Sequence, residues 1–434
     1  TYLLEPHNNN GHTQLSKMNL VYDDFVVTEN DAYIISFEHV KTQRAFMRFT
    51  SSNHFTDSSA DGDSVEIKLK RYIGDKGWDN HYTFNAAFKG RQDELPLREM
   101  TLTQGPLVSI VQWHFLESST MQVTIVSACA SPDNHLLSDS IFDIAFSVEP
   151  PAPNYNLVAE FNAPSIYNNY VFTTDDSGLE QVKRKYDPTV PIHGNYYPMV
   201  YAASIAEDSK HLTIATNTPL GVSAKQQGQI EVMLHRNSVQ ALGNGEKMME
   251  EKNPVRNRAS IILRMISPFV GPLSSANRVD QSMRLNFPMD IFIIESGSTP
   301  SVLPKESTSI APTSSTPLLS PGLFLLTLQQ YSSQKQDILV RVANLNDDEP
   351  TGTLMHVDLT KMFKHTIESV EPTTLAASTP IEQCKRIHWH TKQESDTNHR
   401  PRHAKIVATP LTKQDQRILF LSPMQIQTLF CDFD

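Results

Sequence analysis

The sequence predicts an all-β protein of antiparallel β-sandwich domains, a large super-sandwich followed by a smaller C-terminal sandwich. Three observations carry this. Short runs alternate apolar and polar residues, turn-forming residues separate them, and long amphipathic helical patterns are hard to find. Val65–Lys70 (VEIKLK) alternates cleanly, and Gln229–Leu234 (QIEVML) does so over most of its length. Met121–Ser127 (MQVTIVS) and Leu339–Ala343 (LVRVA) are β-branched, apolar runs of the same kind. Turn signals fall at Asp61-Gly62, Asp175–Gly178, Gly243–Gly245 and Asn346–Pro350. The best helical stretch, Asp358–His365, covers barely two turns.

The chain has 434 residues, enough for two or three domains and for a core that needs no disulfide or metal to hold it. Residues 296–321 form a Ser/Thr/Pro-rich stretch that reads as a linker or exposed loop. It separates a large β region over 19–295, led by a segment over 1–18, from a small sandwich over 322–434. The net charge of −11 argues against nucleic acid as a partner, because phosphate contacts need a basic face. No apolar run approaches the roughly 20 residues of a transmembrane helix. No signal peptide opens the sequence, which begins at Thr1, as a trimmed or processed chain would. Three cysteines, Cys129, Cys384 and Cys431, leave at least one outside any intramolecular pair; one disulfide and three separate thiols are both compatible with them. There is no Asn-x-Ser/Thr sequon.

Several residues could carry chemistry. His356 and Asp358 share one face of a strand at a spacing that can ligate zinc, and His388 with His390 repeats the pattern ahead of His399 and His403. Two ligands do not make a site, so both pairs read as polar strand faces and loops. Asp23-Asp24, Asp175-Asp176 and Asp347-Asp348 could supply the paired carboxylates of a glycosidase, yet each sits in a turn-like context that favours Asp for local backbone bonding. Ser109 lacks a nucleophile elbow, and no glycine-rich phosphate loop is present. Residue by residue, the sequence offers a β scaffold without a catalytic constellation.

From about residue 105 the order of motifs resembles the C-terminal half of family 38 α-mannosidases, of the lysosomal and Golgi type. Gly105–Ser109 (GPLVS), Phe172–Gly178 (FTTDDSG), Gly194–Met199 (GNYYPM), Leu212-Thr213, Pro219–Ser223 (PLGVS) and Gly228–Arg236 (GQIEVMLHR) follow the family's order. Val357–Leu359, Met362-Phe363 and Leu421–Phe430 (LSPMQIQTLF) look like its closing part. The resemblance covers roughly three quarters of the chain, with residues 1–100 matching weakly. It implies β-sandwich domains that follow an N-terminal catalytic domain, which would hold the zinc ligands and nucleophilic Asp. No cofactor is then expected in this chain, and zinc belongs to that catalytic domain.

One departure bears on function. After its LHR run the family continues through Arg-Leu to Asp-Asp-x-Arg-Gly, whose arginine faces substrate. Here Ala241 and Leu242 stand for the acids and Asn244 for the arginine, while Gly245 remains. Asn244 is therefore the candidate substrate-binding position, though an amide lacks a guanidinium's charge and forked donors. Ala224 likewise stands where a second Ser follows Ser223 in the family. The resemblance implies a non-catalytic portion of an α-mannosidase that braces a separate zinc-dependent domain hydrolysing terminal α-mannosyl residues, inactive alone and placed in the lysosome or secretory pathway. A mannosidase-derived pseudoenzyme serving as a structural, interaction or carbohydrate-binding module is the alternative. Mannose-containing glycans are possible partners, and Tyr196 and Tyr197 are the candidate sugar platforms, with core packing as their competing use.

Overall fold

A computed structural model describes residues 19–21, 25–29, 33–38, 47–51, 64–75, 79, 83–87, 90, 92–104, 108–115, 119–126, 141–152, 154–175, 177–178, 180–207, 210–237, 259–266, 275–288, 319–320, 322–331, 338–347, 354–363, 366–384 and 417–433. The chain divides into two compact units, residues 1–273 with 281–288, and residues 274–280 with 289–434.

The first unit contains two antiparallel sheets. One orders β1 (Asn19–Val21), β2 (Phe25–Glu29), β3 (Tyr33–Glu38), β4 (Met47–Ser51), β5 (Ser64–Ile73), β11 (Tyr155–Asn162), β18 (Gln229–Asn237), β17 (Leu220–Ser223) and β14 (Tyr197–Met199), with β6 (Gln92–Glu94) also on β5. The other orders β13 (Gln181–Lys185), β12 (Val171–Asp175), β15 (Ala202–Glu207), β16 (Lys210–Thr216), β19 (Ala259–Ile266), β10 (Ile141–Val148), β9 (Thr120–Val126), β8 (Val108–Phe115) and β7 (Leu97–Gln104).

Alternation sets which face each strand turns inward. Val65, Ile67 and Leu69 of β5 join Leu157, Ala159 and Phe161 of β11 and Ile230 and Val232 of β18 in one core. Val111, Trp113, Met121, Val123, Ile144, Phe146, Leu263 and Met265 of the second sheet complete it. Each buried Val, Leu, Ile, Phe or Met among them contributes about 1.5–3 kcal/mol, and a one-residue slip would move a whole set to the other face. Register is therefore strongly specified. On the second sheet's other face, Ala202, Ala215 and Ile266 pack with Leu285.

Leu285 belongs to α1 (Ser275–Asn286), the one α-helix among the described residues. The sequence pattern pointed elsewhere. Asp358–His365 is corrected: it begins as the end of a strand, and a 3-10 turn spans Leu359–Lys361. Asp358 caps that turn by accepting hydrogen bonds from Thr360 N (3.1 Å) and Thr360 Oγ1 (2.6 Å), and Asp in this role favours a turn over a continuing helix.

The second unit has a four-stranded sheet, β20 (Leu323–Gln330), β21 (Ile338–Asn344), β25 (Ile426–Phe433) and β23 (Ile367–Thr373), and a two-stranded sheet of β22 (Met355–Asp358) and β24 (Ile418–Leu421). Val340, Val342, Ile367, Val370, Leu429 and Cys431 of the first pack with Val357, Leu419 and Leu421 of the second around one small core. Both units are thus antiparallel β structures, as the alternation predicts. The Ser/Thr/Pro-rich stretch over 296–321 lies almost wholly outside the described residues.

The turn into β18 depends on one glycine. Gly228 has φ +66°, and a Cβ there would stand 2.2 Å from the carbonyl oxygen of Ala163. Ala163 N donates to Gly228 O at 2.6 Å, so that backbone cannot retreat without breaking the bond. Gly228→Ala is expected to destabilise the protein by about 2 kcal/mol or more, read as a lower urea midpoint at unchanged m-value.

Candidate functional site

The motif residues converge on the outer face of the first sheet. Strand pairing sets Glu160 of β11 opposite Lys68 of β5 and opposite Glu231 of β18, and sets Glu231 opposite Ser223 of β17. All four therefore share the face turned away from the core. Opposed glutamates on neighbouring strands repel, yet Glu160 and Glu231 are both almost fully buried, at 2% and 0% exposure. Lysines offset the repulsion: Lys70 Nζ lies 2.6 Å from Glu160 Oε1, and Lys225 Nζ lies 3.1 Å from Glu231 Oε2. Asn162 Nδ2 also donates to Glu160 Oε1 at 2.8 Å.

Glu231 is the hub. Its Oε1 accepts from Tyr72 Oη at 2.6 Å and from the hydroxyl of Tyr196, and its Oε2 accepts from Gln92 Nε2 as well as facing Lys225. Lys225 donates onward to Tyr72 Oη (3.0 Å) and to Gln92 Oε1, closing the network. Four separate segments thus meet on one carboxylate. Phe84 packs edge-on against both Tyr72 (5.3 Å) and Tyr196 (5.1 Å), giving the polar hub an apolar cover. Burial, reinforced by the negative charge of Glu231, holds the phenols of both Tyr72 and Tyr196 protonated well above the usual tyrosine range.

A β-bulge aims the last motif residue. Leu157 pairs with His235 but Val158 pairs with Met233, so Leu234 is the extra residue. The shift returns Arg236 to the same face as Glu231 and Met233, opposite Asn156. Arg236 Nη2 reaches the fully buried Asp79 at 2.9 Å and the carbonyl of Thr83 at 3.2 Å, while its Nε donates to Asn156 Oδ1 at 3.1 Å. Asn156 Nδ2 and Asn85 N donate to the same carboxylate at 3.0 and 2.8 Å. Beside it, Gly74 has no room for a side chain: a Cβ would stand 2.4 Å from Asp79 Oδ2. Arg236 therefore ties Asp79 and Thr83 to the sheet.

The other motif residues also hold structure. Asn195 accepts from Asp187 N (2.7 Å) and donates to Asp187 O (2.9 Å), closing the loop before the tyrosines. Tyr197 packs on Phe172 at 5.7 Å under the Arg184 guanidinium at 4.8 Å, and Met199 is in the core. Both tyrosines proposed as sugar platforms are thus engaged internally. Asp175 accepts from the backbone amides of Val200 (3.1 Å), Tyr201 (2.7 Å) and Ala202 (3.0 Å). Burial pushes its carboxyl up and these amides pull it down, with burial the larger effect. Ala224 is fully buried in the main core, where a methyl suits the apolar surroundings.

The remaining sequence candidates separate. His356 is exposed and Asp358 is engaged by Thr360. Asp347 pairs with Arg278 at 2.7 Å. Ser109 lies in β8, paired opposite Ile125. Cys384 is an exposed free thiol, and Cys431 is a buried one whose thiol burial pushes up to about 12. Asp23, Asp24, Asp176, Asp348, Cys129, His388, His390, His399, His403, Ala241, Leu242, Asn244 and Gly245 lie outside the described residues. Among the described residues no group of three or more His, Cys, Asp or Glu is arranged to hold a metal ion, and no helix is long and apolar enough to cross a membrane. An open groove of about 580 Å³ borders the hub, lined by Pro198, Pro219, Leu220, Met233, His235 and Arg236 among others. Sequence reading missed the hub because Glu231 and Tyr72 occupy the polar phase or the far end of alternating strands; the Asp79 clamp has no local signal at all.

The family model for the glycosyl hydrolases family 38 C-terminal domain matches residues 48–243. Lysosomal alpha-mannosidase of Mus musculus is 25% identical over 293 residues, 63% of this chain and 27% of that protein. An alpha-mannosidase of Arabidopsis thaliana is 24% identical over 400 residues, 86% of this chain and 37% of its own length. Alpha-mannosidase 2 of Drosophila melanogaster reaches 31% identity over 134 residues, 28% of this chain and 12% of its own. The chain therefore spans about a quarter to a third of the first two relatives. A solved alpha-mannosidase of Enterococcus faecalis has the same fold, with a TM-score of 0.57 at 11% identity over 94% of this chain and 42% of that one.

Two outcomes test the geometry. Arg236→Met leaves the fully buried Asp79 carboxylate without its cation and is expected to cost about 3–5 kcal/mol, Asp79→Ala leaves a guanidinium that is 20% exposed and is expected to cost less, and a double-mutant cycle should show the losses to be strongly non-additive. The phenol shifts have a definite sign. Folded-state pKa values above the unfolded value mean stability is fully present below about pH 10 and falls as pH rises beyond it. Urea melts above pH 10 should show this loss, and Tyr72→Phe should flatten it while lowering stability near neutrality.

Proposed function

We propose that residues 48–243, a family 38 C-terminal domain, together with the sandwich that follows them, brace an N-terminal catalytic domain of an α-mannosidase. The observation that supports this is the use of the motif side chains. Glu231, Arg236, Tyr196, Asn195 and Asp175 each make internal bonds that fix loops on the sheet, which is what a support surface needs. In this reading the zinc, its ligands and the nucleophilic carboxylate reside in the catalytic domain, where a retaining double displacement would cleave terminal α-mannosyl residues. This chain's part is to hold that domain and wall one side of its pocket. The names of the mouse and slime-mould relatives support a lysosomal or secretory-pathway setting.

Asn244 is the position proposed to approach substrate. Its amide, with Ala241 and Leu242 where the family has acids, favours a second reading: a mannosidase-derived module without catalysis. The two separate experimentally. Under the first, this chain alone cleaves no α-mannoside and binds no stoichiometric zinc, but restores hydrolysis when co-expressed with the N-terminal domain of its precursor. Robust activity of this chain alone overturns the bracing role. A stable, zinc-loaded pair that stays inactive favours the second reading.

A further inference from the structure

We propose that the outward face of the β22–β24 ribbon, formed by Leu354, Phe420 and Ile418, is a surface on which the N-terminal part of the protein docks. This rests on the bracing role and gives it a place on the second unit. Register fixes which side chains share the face. His356 lies opposite Phe420 and Asp358 opposite Ile418, and residues paired across two strands point to the same side. Leu354 leads into β22 in the same alternation. Val357, Leu419 and Leu421 point the other way, into the small core, with Met355 packed against it.

The outward set has the wrong composition for a wet face. Leu354 is 56% exposed, Phe420 49% and Ile418 39%. A sheet with one solvated face alternates apolar and polar residues, whereas a strand apolar at every position is the pattern of one buried on both sides. β24 reads ILFL. The ordinary case stands in the same unit, where the exposed positions of β23 are Glu368, Ser369, Glu371 and Pro372. Single exposed apolar residues are normal, but these three are neighbours on one ribbon. A polar residue at 418 or 420 would leave the core contacts of Leu419 and Leu421 as they are, so the fold of this unit does not explain the choice. The ribbon itself is held in place: Phe420 O accepts from Gln427 Nε2 at 2.8 Å, and Thr360 engages Asp358.

The occupant follows from chemistry and from length. A sugar or nucleotide needs convergent polar groups at the centre of its site, and here the centre is apolar. Its polar neighbours, exposed His356 and the Asp358 carboxylate with Lys361 at 3.8 Å, stand around it instead. An apolar centre with a polar rim is the composition of a protein interface. This chain spans about a quarter to a third of its first two relatives, so under the bracing role most of the assembly lies outside it and needs a surface here to rest on. The partner is therefore the N-terminal polypeptide of the same precursor, meeting this ribbon with an apolar patch of its own.

The test co-expresses the full 434-residue chain with the N-terminal domain of its precursor and reads their association by sedimentation and titration. Phe420→Asp is expected to weaken association more than about tenfold, the effect of removing a buried aromatic anchor and placing a charge in its pocket. The control Glu371→Lys, on the solvated positions of β23, should leave association unchanged. The melting temperature of the 434-residue chain alone should be the same for Phe420→Asp and wild type, because the ring is not part of this chain's core. A fall in that temperature overturns the docking face in favour of cover by this chain itself. A wild-type dimer of this chain that Phe420→Asp dissolves overturns it in favour of a second copy. Association unchanged by Phe420→Asp overturns the docking face and leaves the bracing role standing, whereas no association of the wild-type pair overturns the bracing role and the docking face with it.

Discussion

The carboxylate of Glu231 is the constraint on which the outer face depends. It lies on a central strand, fully buried, and receives donors from β5, from the segment before β14, from β6 and from the turn between β17 and β18. A buried charge is tolerable only when its lone pairs are matched, and here the matching groups come from segments far apart in sequence. Each donor is thereby fixed as firmly as the strand itself. The network converts a polar sheet face, which would ordinarily meet water, into a covered layer.

That layer explains why the motif run Gly228–Arg236 contains what it does. Gly228 permits the turn, Ile230 and Val232 fill the core, Glu231 gathers the loops, and the bulge at Leu234 lets Arg236 reach Asp79. Sandwich core and outer layer are built from alternate residues of one strand. Disturbing the register would disturb both at once. The groove beside the hub inherits its shape from the same residues, Met233, His235 and Arg236.

Alternation made the strands legible. VEIKLK lies in β5 with its apolar residues in the core, and LVRVA lies in β21. Periodicity also assigned the correct face to Gln229 and Glu231, but a polar phase reads as solvent-facing, whereas both residues are 0% exposed. The long-range partners Tyr72, Gln92, Tyr196 and Lys225 reveal the covering of Glu231, and no local pattern encodes them. The helix α1 escaped for a related reason. Its sequence SANRVDQSMRLN is mostly polar, and it buries Arg278, Gln281 and Ser282 alongside Val279 and Met283. Tertiary contacts, not an apolar stripe, hold it. The Asp residues show the limit of local chemistry: Asp358, read at the start of a helix, caps its own 3-10 turn, while Asp175, read as a turn residue bonding its local backbone, gathers the amides of Val200, Tyr201 and Ala202 from a distant segment.

The account's central claim is that Glu231 ties the outer-face loops to the sheet. Hydrogen exchange of a Glu231→Ala variant tests it most directly. Amides of Gln92–Glu94 and Ile192–Met199 should lose protection, while those of β8, β9 and β10 in the opposite sheet keep theirs. Equal loss of protection across both sheets, or no change at the two outer segments, would contradict it.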